Sequence, residues 1–107
     1  MFYRINPNPE KNLTGDCVIR AISLTTNHSW DYVYLDLFLL GFDEKDMMSS
    51  NNLWDDYLYK NGFKRYVIPN ECRCYTVKDF CNDHPRGTYI LATGTHVIAV
   101  INGSYFD

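Results

Sequence analysis

The chain has 107 residues, enough for one hydrophobic core but too few for two, so a single domain is expected. Its composition is 46% apolar and 16% aromatic, which excludes the disordered class. The formal net charge is −3 and Lys64-Arg65 is the one adjacent basic pair, which argues against nonspecific nucleic-acid binding.

The chain opens with Phe2-Tyr3-Arg4-Ile5, a weak alternation suited to an edge strand. No apolar leader precedes Asn6-Pro7-Asn8-Pro9, and the prolines make residues 6–13 a loop. The run from Tyr32 to Leu40 is too short to span a bilayer and contains Asp36. The expectation is a cytoplasmic protein with reduced thiols and no membrane partner.

Cys17 begins a helical pattern expected to reach Thr26, with Val18, Ala21, Ile22 and Thr25 on one face. Either Thr14 or Asp16 can supply the N-cap oxygen. Ser29 is placed to cap a second helix, Trp30 to Leu40, which Gly41 would stop. Its broad apolar face, including Trp30, Val33, Tyr34, Leu37 and Phe38, predicts a well-buried element. Asp43 to Asp46 reads as a solvated connection. A third helix is expected over Asn52–Lys60, with Leu53, Trp54, Tyr57 and Leu58 inward and Asn61-Gly62 as its stop.

Residues 63–68 alternate and are β-rich, predicting a strand ended by Pro69-Asn70. Thr76-Val77-Lys78-Asp79 is a capping-box pattern introducing a short helix to about Asn82. After the turn His84 to Gly87, three short antiparallel strands are predicted, linked by Gly94-Thr95 and by Asn102-Gly103, a strong type I′ signal. Helices first and a meander last predict an α+β fold, with N-terminal helices packed on a C-terminal antiparallel sheet.

Cys17 is the residue with the clearest chemical potential. A thiol in the first turn of a helix feels the positive end of the dipole, which favours the reactive thiolate. A small buried thiol that merely packs is the competing reading. His96 opens the predicted middle strand and Asp107 closes the last one.

A cysteine starting an early helix, a histidine opening a late strand and a polar residue on the next strand resemble the papain-like cysteine peptidase superfamily. The likeness is to its compact phage and prophage members, through Gly15-Asp16-Cys17-Val18-Ile19-Arg20-Ala21 at the front and the segment from His84 to Asp107 at the back. The resemblance implies a papain-like fold and a thiol hydrolase acting on a peptide, isopeptide or other amide bond, without a cofactor or metal. It implies Cys17 as nucleophile, His96 as base, and Asp107 as the group that orients His96 by accepting its Nδ1–H bond. Asn102 is the alternative orienter, with a sufficient structural role in the turn. Asn12, five residues before Cys17, falls about where an oxyanion-binding side-chain amide is expected, although the family more often has Gln there. Asp16, directly before the nucleophile, would oppose thiolate formation, and capping is its simpler role.

Two other classes stay open. One is a catalytically inert papain-like scaffold, a phage-encoded protein that binds or inhibits a host protein. The other is a small zinc-stabilised interaction module built on Cys72, Cys74, Cys81 and His84, although this C-x-C-x6-C-x2-H spacing lacks the paired knuckles of common zinc sites.

Overall fold

The computed structural model describes residues 1–11, 15–48, 50–68, 75–93 and 96–107. Among these the chain forms β1 (Phe2–Tyr3), α1 (Cys17–Thr26), α2 (Trp30–Glu44), α3 (Asn51–Lys60), α4 (Val77–Asp83), β2 (Thr88–Ala92), β3 (Val97–Ile101) and β4 (Ser104–Phe106). The protein is therefore α+β. Two compact units are distinguished, Met1–Val33 with Cys74–Asp107 and Tyr34–Arg73. Among the described residues no helix is long and apolar enough to cross a membrane.

The first unit is built on a sheet of order β1-β4-β3-β2. The β3–β4 hairpin pairs Ala99 with Phe106, Val100 with Tyr105 and Ile101 with Ser104, as the Asn102-Gly103 signal predicts. Both turn residues have positive φ, 49° and 78°, the type I′ requirement. Gly103 serves a second need, because a Cβ there would lie 3.3 Å from the Pro85 Cα. Residues Gly94 and Thr95 of the other expected turn lie outside the described residues.

The sheet is mixed rather than purely antiparallel, because β1 pairs parallel with β4 at the edge. This pairing is supported by side chains: Tyr3 stacks on Phe106 and Phe2 meets Tyr105, each with ring centroids 5.1 Å apart. The pairing continues past the strands. Asp107 N–H donates to Tyr3 O, and Ile5 N–H donates to Asp107 O, both at 3.0 Å.

Alternation along β3 sends its side chains to two faces. On one, Val100 packs with Phe80 and Cys81 of α4, bordered by Tyr75, Val77, Tyr89, Leu91 and Tyr105. The other face carries Val97 and Ala99, both buried, and α1 packs chiefly against this strand. The face α1 buries is shifted from the predicted one, with Ile19, Ala21, Ile22 and Ser23 buried and Val18 and Thr25 only half-buried. Ser23 tolerates burial because its hydroxyl donates to His28 O at 2.6 Å. Asn27 then ends the helix in a left-handed conformation.

The second unit holds α2 from Tyr34 onward and α3. Leu37, Leu53, Tyr57 and Leu58 are buried, and Tyr57 Oη donates to Asp36 at 3.0 Å. Gly41 does not stop α2, which continues to Glu44. A Cβ at Gly41 would lie 2.8 Å from the Asp46 carbonyl oxygen, so close approach explains this glycine. The expected burial of α2 is also corrected. Val33 and Leu37 are buried, but Tyr34, Leu35, Phe38, Leu39 and Phe42 are exposed. Residues 63–68 form no strand, because a ladder requires a partner as well as alternation.

The capping box at α4 is complete. Thr76 Oγ1 accepts from Asp79 N–H at 3.1 Å, and Asp79 Oδ2 accepts from Thr76 N–H at 3.0 Å. The bond from the Thr76 backbone, then that from its hydroxyl, holds the Asp79 carboxyl below its ordinary value. A depressed folded-state value gives a contribution that is complete above the unfolded one, about pH 3.9, and is lost as pH falls through the folded value. Amide exchange at the start of α4 is therefore expected to accelerate only in strong acid. Asp79→Asn should remove that acid-side change when followed by hydrogen-exchange mass spectrometry.

Candidate active site

Cys17 is the first residue of α1 and is half-buried. Three N–H groups of the first helical turn have no partner within the helix, so the thiol stands at a concentration of positive partial charge. Asp16 precedes it but does not cap the helix, because its side chain makes no cap hydrogen bond. It is buried, and its two carboxylate oxygens face other partners. Trp30 Nε1–H donates to Oδ2 at 2.8 Å, and the Arg20 Nε lies 3.1 Å from Oδ1. This corrects the capping role expected of Asp16. A residue with only 5% of its side chain exposed needs stronger partners than one backbone N–H.

His96 directly precedes β3, and its Nε2 lies 2.7 Å from Asp107 Oδ1. A carboxylate accepts, so Nε2 carries the proton, and in the neutral imidazole Nδ1 has the lone pair. The expected contact through Nδ1 is thereby corrected. Phe106 stands opposite Ala99, so the next position falls level with Ile98, two residues from His96 rather than beside it. The distal ring nitrogen reaches across that gap. Asp107 is held by the two backbone bonds to the continuation of β1, which fix its carboxylate at the edge of the hairpin.

Arg20 links the two halves. Its terminal nitrogen lies 4.0 Å from Asp107 Oδ1, the oxygen that faces His96. The Arg20 side chain thus reaches from α1 to the His96–Asp107 pair, and no hydrogen bond joins the Cys17 thiol to the imidazole. Sequence reasoning passed over Arg20 and Trp30. The i, i+4 spacing of Asp16 and Arg20 was a usable signal, whereas nothing local marks the indole fourteen residues away.

The remaining candidates divide cleanly. Asn102 is occupied elsewhere, its Oδ1 accepting from Gly87 N–H at 3.1 Å and its own N–H donating to Gly87 O at 2.8 Å. Asn12 lies outside the described residues, as do Thr14, Cys72 and Cys74. Cys81 is buried in the α4 core, and desolvation pushes its thiol up. His84 stacks on Phe80 with centroids 4.0 Å apart, and its Nδ1 lies 3.0 Å from the Phe80 carbonyl oxygen. Among the described residues no three His, Cys, Asp or Glu side chains gather to hold a metal ion.

Compared with known protein families, with curated proteins and with solved structures, the chain finds no match.

Trp30→Phe keeps the apolar body of the side chain and removes one donor to a buried carboxylate. It is expected to lower stability by about 1–3 kcal/mol in urea unfolding, against a change near zero for Trp54→Phe, whose indole N–H meets the exposed Asn51.

Proposed function

We propose that the protein is a papain-like thiol hydrolase of the phage type, acting in a reducing cytoplasm on a peptide, isopeptide or other amide bond. The observation that carries the reading is the His96–Asp107 pair at 2.7 Å, which Arg20 reaches from the helix that begins with Cys17. With Nε2–H held by the carboxylate, Nδ1 is free to take the thiol proton, and Asp107 stabilises the imidazolium that results. The thiolate attacks the carbonyl carbon, and the carbonyl electrons move to oxygen. Collapse of that adduct expels the amine, which takes the proton from His96, and leaves a thioester on Cys17. Water, deprotonated by His96, then attacks the thioester, releasing the acid and restoring the thiol. The backbone N–H groups at the start of α1 are donors suited to the oxyanion, with Asn12 as the proposed side-chain donor. No cofactor enters this scheme.

Iodoacetamide is expected to label Cys17 at about pH 6, with Cys81 lagging because burial disfavours its thiolate. Asp107→Asn should slow that labelling several-fold by weakening the imidazolium. Asn102→Gly keeps the turn and should leave it unchanged. Sites are assigned by peptide mass spectrometry. Uniform labelling with a midpoint at about pH 8.5 would remove the basis for a Cys–His pair.

A second reading is favoured by a different observation. Within the second unit a groove of about 350 Å³ is lined by Tyr34, Phe38, Gly41, Phe42, Asp46, Met47 and Met48. Exposed aromatic and methionine side chains suit a protein-binding surface, as an inert scaffold engaging a host protein would need. The two readings separate in bacterial cells expressing the chain. Any growth effect should be lost in Cys17→Ala and kept in Phe38→Glu if hydrolysis is the function, and the reverse if binding is.

A further inference from the structure

We infer that Arg20 is a positioning residue for the proposed nucleophile, the permanent counter-charge that keeps the Asp16 carboxylate from opposing thiolate formation at Cys17. The inference rests on the reading of Cys17 as the nucleophile.

Asp16 and Cys17 are adjacent, and the Asp16 side chain is only 5% exposed, so water screens its charge poorly. A negative charge at that range disfavours a thiolate. Arg20 lies one helical turn after Asp16, with Nε 3.1 Å from Oδ1. It also lies three residues after Cys17, the spacing of side chains that neighbour each other on a helix surface. One guanidinium therefore contacts Asp16 from a helix position that neighbours Cys17. Its buried Nε–H makes no directed hydrogen bond, so the attraction to Asp16 is chiefly that of charge.

Arg20 has a second acidic neighbour, and the distances decide between them. Asp107 is 4.0 Å from the guanidinium and 36% exposed, against 3.1 Å and 5% for Asp16. The closer and less solvated carboxylate takes the larger share of the interaction. His96 and Asp107 come from the ends of β3 and β4. Tyr89 of β2 is turned into the Phe80 cluster. Trp30 at the start of α2 offers a neutral indole. His96 carries no permanent charge, whereas Arg20 is charged throughout.

The test is the pH profile of Cys17 alkylation by iodoacetamide, read by peptide mass spectrometry, with circular dichroism as the folding check. Arg20→Gln leaves Asp16 uncompensated and should raise the midpoint by roughly one pH unit. Adding Asp16→Asn should return the midpoint to the wild-type value, and Arg20→Lys should hold most of it. Asp16→Asn alone should lower the midpoint, and it carries the test if Arg20→Gln does not fold. A midpoint that stays put in the folded single variants overturns the inference, and so does an upward shift that Asp16→Asn fails to reverse. Failure of the nucleophile reading is distinguishable, because it shows in the wild-type protein as alkylation at about pH 8.5 before any variant is made.

Discussion

A carboxylate with almost no exposed surface must find its partners inside the protein, and Asp16 finds an indole N–H and a guanidinium. Removing either would leave a charge in a poorly solvated site, at a cost of about 3–5 kcal/mol for the ionic partner. These contacts tie the start of α1 to the start of α2, and through Arg20 they bring α1 to the hairpin edge where Asp107 stands. The position of Cys17 follows from them. It occupies the first helical position, next to a side chain held by Trp30 and Arg20, so its setting is inherited from Asp16.

The His96–Asp107 half of the candidate site depends on how β1 meets β4. Asp107 lies beyond the last hairpin pair, Ala99 with Phe106, so β3 does not hold its backbone. The parallel partner supplies a backbone acceptor and a backbone donor, and the Tyr3–Phe106 stack secures the same edge. A weak, short strand at one end of the chain thus has an effect out of proportion to its length. It holds the backbone of the residue whose carboxylate meets His96.

The second unit shows a different economy. Its part of α2 buries Leu37 while Leu35, Phe38, Leu39 and Phe42 stay on the surface. A helix apolar on nearly every side cannot be covered by one packing face, and the surplus is left exposed. Carboxylates outnumber lysines along it, which keeps an apolar surface compatible with water.

What the sequence determined by itself were features whose causes lie within a few residues. The span of α1 from Cys17 to Thr26, the Thr76–Asp79 capping box, and the Asn102-Gly103 turn with its register are of this kind. Capping and turn chemistry act between neighbours, so the local residues carry the whole instruction. The α+β class and the candidates Cys17, His96 and Asp107 were legible for a related reason, since residue type and element boundary suffice to nominate them. Only the tertiary structure decided the rest. It set β1 parallel to β4, withheld a partner from residues 63–68, turned Asp16 from a cap into a buried ion, and chose Nε2 of His96 over Nδ1 for the carboxylate. Each of these depends on what stands opposite a residue in space, and the neighbour that settles it comes from a distant part of the chain.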